Sequence, residues 1–161
     1  MAVGDIILGD GAFQIGGVTI GLTRGGGQFV VEREYRVIEA DGDYGPVKGR
    51  VRKIRSTPKL TLNALELTPT RLTKLYPSVE VTSGTLSATT DIALTDYSEI
   101  KWIGSTKDGR EVIITIYNAI NMDNIDLSMV DKEEIVASIT FTGTYDESDR
   151  TTEPWDVEWV S

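Results

Sequence analysis

"QFVVEREYRVIEADGDYGPVKGRVRKI", residues 28–54, is the stretch on which the fold turns. Read at a period of two, it puts Phe29, Val31, Arg33, Tyr35 and Val37 on one face and Val30, Glu32, Glu34, Arg36 and Ile38 on the other. Such alternation describes a strand that is buried on one side and wet on the other. Residues 47–54 alternate again, and the turn formers Asp41, Gly42, Asp43, Gly45 and Pro46 lie between. The reading is a long antiparallel hairpin turning at 41–46.

Strand signals continue on both sides. Upstream, Phe13 and Ile15, then Val18, Ile20 and Leu22, recur at spacing two about Gly16-Gly17, a tight turn or bulge. Residues 23–29, "TRGGGQF", read as a glycine-rich connection. Downstream, 59–67 read as a further strand, and "TPTRLTKLYP" (68–77) carries the one helix signal. Thr68 suits the N-cap, Pro69 the first helical position, and Pro77 the stop. Residues 78–96 are rich in Ser and Thr and read as a loop with room for one short strand. Residues 97–120 form the clearest hairpin, turning at Lys107-Asp108-Gly109. After a polar crossing, Ile135, Ala137, Ile139 and Phe141 share the face of a last long strand. The expected fold is all-β, a sandwich or barrel with a long hairpin or loop and one short flanking helix, in a single domain over 1–161.

Composition narrows the chemistry. The 161-residue chain has no cysteine and no histidine, so disulfides, thiolate nucleophiles and imidazole catalysis are excluded. A formal net charge of −9 argues against a general nucleic-acid binder. The first residues lack the basic start and long apolar core of a signal peptide, and no stretch approaches the ~18 apolar residues of a membrane span. A soluble chain made in a cytoplasm is expected.

The charge is also segregated. Residues 44–60 hold six cations (Lys48, Arg50, Arg52, Lys53, Arg55 and Lys59) and no acid, whereas 111–161 hold twelve acids against Lys132 and Arg150. On an uninterrupted strand Lys48, Arg50 and Arg52 would share one face and Lys53 and Arg55 the other. The block could clamp phosphates, but no aromatic residue interleaves it as a platform for bases. A solvated strand face and a complementary protein interface are the other readings.

Other motifs read as structure. "DGDYG" (41–45) resembles half of a calcium loop but lacks the later ligands, so a turn fits better. Gly25-Gly26-Gly27 leads into a strand and offers no helix N-terminus for a phosphate. The paired acids Glu32/Glu34, Glu133/Glu134 and Asp146/Glu147 are numerous enough to be a solubilising field rather than a hydrolytic pair. No catalytic residue, cofactor or metal is expected. Trp155 and Trp159 stand in an acidic tail, where such rings must bury on the chain's own core or on a neighbour.

Three segments resemble the major tail, or tail tube, proteins of long-tailed bacteriophages and related phage-tail-like particles. They are "ADGDYGPVKGRVR" (40–52), "DGREVIITIYNA" (108–119) and "ITFTGTYDESDRTTEPWDV" (139–157). The resemblance implies a structural subunit, not an enzyme, that assembles into stacked hexameric rings. The resulting hollow tube, part of a virion tail, would pass double-stranded DNA. Tape-measure and tail terminator or initiator proteins are the implied partners, with no membrane. On this reading Lys48, Arg50, Arg52, Lys53, Arg55, Trp155 and Trp159 make subunit or ring contacts, with Asp146, Glu147, Asp149 and Glu153 as candidate acidic partners. Glu32, Glu34, Glu39 and Asp41 are the candidate lumen acids, although Arg36 shares the face of the first two. The alternatives are another virion structural or decoration protein and a carbohydrate-binding β-sandwich, with an enzyme third.

Overall fold

The computed structural model describes residues 3–160, of which strand accounts for 53% and helix for 8%, so the all-β expectation holds. In chain order the elements are β1 (Ile7–Ile15), β2 (Val18–Thr19), β3 (Thr23–Val37), β4 (Val51–Ala64), α1 (Pro69–Leu75), β5 (Val79–Thr82), β6 (Thr85–Ala88), β7 (Ser98–Thr106), β8 (Glu111–Asn121), β9 (Ala137–Gly143) and β10 (Trp155–Val160).

Eight strands form one antiparallel sheet in the order β2-β1-β7-β8-β9-β4-β3, with β10 added to β8. The branch follows from how β8 uses its edges. β7 occupies one edge along most of its length. On the other, β10 pairs with residues 111–116 and β9 with 119–121. The short β8–β9 seam lets the sheet fold over into two limbs, β2-β1-β7-β8-β10 and β9-β4-β3. Ile15, Ile100 and Ile116 from the first limb share a core with Leu60, Leu62, Ile139 and Phe141 from the second. All seven are at most 2% exposed, and each fully buried side chain of this size contributes about 1.5–3 kcal/mol.

Gly143 marks where the limbs come closest. A Cβ there would lie 2.7 Å from both Ile116 Cγ2 and Pro58 Cγ, one from each limb, so only glycine fits. At the mouth of the sandwich the rings of Phe29 on β3 and Trp155 on β10 meet at 5.6 Å, tilted by 57°.

Local chemistry explains the elements that were legible. Gly16 and Gly17 both take positive φ, as a two-residue hairpin turn requires, and Ile15 pairs with Val18 across it. Thr68 accepts a hydrogen bond from the Arg71 backbone N–H as N-cap of α1. The buried Asn121 side chain donates to the Leu75 carbonyl at 2.9 Å, satisfying one of the orphan acceptors at the helix end.

Three readings change. Residues 25–27 belong to β3, where Gly25 and Gly26 take positive φ at a register shift, so the glycines make a bulge rather than a connection. Residues 51–64 are one strand, although Pro58 falls within it; pairing with β9 begins only at Lys59, so Pro58 lies where β4 has β3 alone as neighbour. Residues 78–96 hold the separate two-stranded β5–β6 hairpin.

Candidate functional site: a bare hairpin arm and its base

β3 and β4 pair from Thr23↔Ala64 to Val37↔Val51, which gives the expected long hairpin. Only its base is packed. From Ser56 to Ala64, β4 alternates buried and half-buried, and the even-numbered residues enter the core. Beyond that point Glu32–Arg36 and Val51–Arg55 are exposed on both faces. This distal half is a two-stranded ribbon standing free of the sandwich. Tyr35 and Ile54 are each about half exposed, and Tyr44 in the connecting loop is fully exposed.

A bulge redistributes the cations. Glu34 pairs with Arg55 and Tyr35 with Lys53, leaving Ile54 as the extra residue. Lys53 therefore lies on the same face as Ser56 and the core, while Arg55 joins Arg52 on the outer face. Lys53 and Arg55 do not share a face, contrary to unbroken alternation. Arg52 stands opposite Arg36, a like-charge pair that disfavours the ribbon in isolation. Lys48 and Arg50 sit in the loop. Arg50 pairs with Asp43 at 2.8 Å, and the same carboxylate oxygen accepts the Ala40 backbone N–H. The "DGDYG" segment is thus a turn whose central acid is already used. Among the described residues no group of three or more acids could hold a metal ion.

Glu153 ties the base of the arm to the strand lead-in of β10. It accepts from Lys53 Nζ at 2.8 Å, from the Ser56 hydroxyl and from the Trp155 indole N–H at 3.3 Å. Those donors, Lys53 first, lower its carboxyl to about 2. Tyr145 adds a hydrogen bond from its hydroxyl to the Ser56 carbonyl at 2.8 Å. Charge segregation in the sequence pairs the basic block with Glu153 as a contact between copies; Lys53 and Glu153, 100 residues apart, instead form this latch within the chain.

The two tryptophans divide. Trp155 packs partly buried against the chain's own core, whereas Trp159 is 54% exposed on β10. Among the described residues β10 pairs with β8 alone, and β3 with β4 alone. Both present an open edge.

The candidate lumen acids also separate. Glu32 and Glu34 share the outer face, but Glu32 pairs with Lys59 at 3.1 Å and Glu34 faces Arg55. Counting Lys59, Arg55, Arg52 and Arg36, that face carries more cations than acids. Glu39 and Asp41 lie in the loop. Nearer the base, the outer face of β4 and β9 carries Thr57, Thr61, Asn63, Ser138, Thr140 and Thr142 around Lys59. Thr61 and Thr140 are hydrogen-bonded at 3.0 Å, and Ser138 donates to Asn63 at 2.7 Å. The exposed rings of Tyr35, Tyr44, Tyr117 and Trp159 lie on β3, in the arm's connecting loop, on β8 and on β10.

No protein-family model matches the chain, and no curated protein is significantly similar to it.

Proposed function

We propose that the chain is a structural subunit that self-assembles into stacked six-membered rings, forming the hollow tail tube of a phage or phage-tail-like particle and a conduit for double-stranded DNA. The observation that carries this is the arm, exposed on both faces from Glu32 to Arg36 and from Val51 to Arg55. A two-stranded ribbon is marginal alone in water, and its exposed Tyr35, Val51 and Ile54 gain by being covered.

Two further features support it. The open edges of β3 and β10 are an aggregation liability in a monomer, and a closed ring uses such edges for pairing between copies. The basic arm and acidic C-terminal third are unlike patches, as a heterologous, head-to-tail interface requires. Tape-measure and terminator or initiator proteins are the proposed partners at the ends of the tube.

Electron microscopy of the concentrated, aged protein beside light scattering tests the reading. Hollow tubes or rings are expected. A protein that stays monomeric throughout overturns it.

A further inference from the structure

At the base of the arm, an open cleft of about 550 Å³ separates β4 from the loop before β10. Lys53, Arg55, Ser56, Thr57, Tyr145, Arg150, Thr151 and Glu153 are among the residues that line it, the charged ones being three cations and one acid. We infer that this cleft is an oxyanion site, in which Arg55 and Arg150 receive a carboxylate or phosphate group.

The inference rests on which charges are already committed. Glu153, the one acid in the cleft wall, accepts from Lys53, Ser56 and Trp155, so its charge is balanced by Lys53 rather than by either arginine. Of the acids that adjoin Arg150 in sequence, Asp146 and Asp149 are hydrogen-bonded within their own turn, whereas Glu147 makes no ion pair among the described residues. Asp149 accepts from the backbone and hydroxyls of Thr151 and Thr152. Asp146 accepts from the N–H and hydroxyl of Ser148. Glu34 faces Arg55 across the strands without closing an ion pair. Among the described residues neither Arg55 nor Arg150 has a carboxylate within 4.0 Å.

Arg55 and Arg150 line one cleft with no ion pair of their own among the described residues, and a guanidinium can bind an oxyanion through paired N–H donors. Thr57 adds a hydroxyl to the same wall. The two sources of such a group are a free phosphate-type anion and an acidic side chain of a second copy. The chemistry asked of the cleft is the same for both.

The test uses the purified full-length chain at low ionic strength and neutral pH, titrated with inorganic phosphate and, separately, with acetate. Binding is followed by amide and guanidinium nuclear magnetic resonance shifts. Saturable shifts at Thr57, Arg55, Arg150 and Thr151 are expected. Each Arg→Gln substitution weakens binding by about ten-fold, and Arg150→Lys retains part of it. Both arginines are exposed, so these variants keep the fold. Equal binding by wild type and the R55Q/R150Q variant overturns the site, as does the absence of saturable shifts with both anions.

Sedimentation with and without saturating phosphate then separates the sources. Weakened self-association identifies a carboxylate from a second copy, and unchanged self-association identifies a free anion; both uphold the cleft. Because binding is read on the subunit, failure here leaves the tube reading standing, and failure to form tubes leaves the oxyanion site standing.

Discussion

Lys53 Nζ lies 2.8 Å from Glu153 Oε2, joining the base of the hairpin arm to the start of the last strand across 100 residues. The hydrogen bonds from Lys53 and Ser56 lower the Glu153 carboxyl from 4.5 to about 2. A carboxyl depressed by folding contributes stability that is complete above its unfolded pKa and is lost as pH falls through its folded one. The window is therefore pH 4.5 down to about 2. Because Lys53 is 41% exposed, screening holds the contribution to roughly 1–2 kcal/mol. Urea unfolding at pH 6, 3.5 and 2.5 should show wild type losing this stability relative to Glu153→Gln. Parallel pH profiles for the two proteins would remove the latch from the account.

Trp155 closes the mouth of the sandwich against Phe29. Truncating a partly buried ring there should cost about 2–4 kcal/mol as Trp155→Ala, and Trp155→Phe about half of that. Denaturant midpoints at constant m-value measure both. A cost below 0.5 kcal/mol, within the ordinary surface range, would mean that the ring contributes nothing to closure.

Gly143 is the complementary case, where adding atoms is the perturbation. With Ile116 and Pro58 each 2.7 Å from the new Cβ and both limbs fixed by the core, Gly143→Ala should destabilise by about 1–3 kcal/mol. Gly42→Ala, a turn position with nothing within 4 Å but φ +89°, should cost about 1 kcal/mol from backbone strain alone. Thermal unfolding that ranks the two in reverse would show that the limbs can move apart at β9.

The parts legible in the sequence were those set by neighbours in the chain. The Thr68-Pro69 helix start, the Gly16-Gly17 turn and the 107–109 turn each depend on a few adjacent residues. The long hairpin was legible because its alternation runs through both strands. What stayed hidden depends on distant partners or on a single inserted residue. The Ile54 bulge turns Lys53 away from Arg55, and no local signal marks it. Charge segregation pointed to Glu153 as a partner of the basic block, but that it meets Lys53 and Ser56 of its own chain is set only by the fold. The strand through Pro58 was masked by a residue that ordinarily ends strands.

Arg52 offers the sharpest test of the arm. It stands opposite Arg36 on the exposed outer face and has no carboxylate within 4.0 Å among the described residues. Arg52→Glu replaces a like-charge pair with an opposite one, so the isolated subunit should keep its fold and gain a few tenths of a kcal/mol. If the arm carries the proposed contacts, the same substitution should abolish ring or tube formation, because the charge it presents to a neighbour is reversed. Arg50→Glu is a poorer probe, since it breaks the Arg50–Asp43 pair and disturbs the loop itself. Hydrogen exchange adds a readout independent of microscopy. The amides of 32–37 and 51–55 should exchange rapidly in the subunit and become protected on assembly, while those of β8 stay protected in both. Normal tubes from Arg52→Glu, with the arm still exchanging rapidly inside them, would take the arm out of the interface and leave the open edges of β3 and β10 to hold the ring.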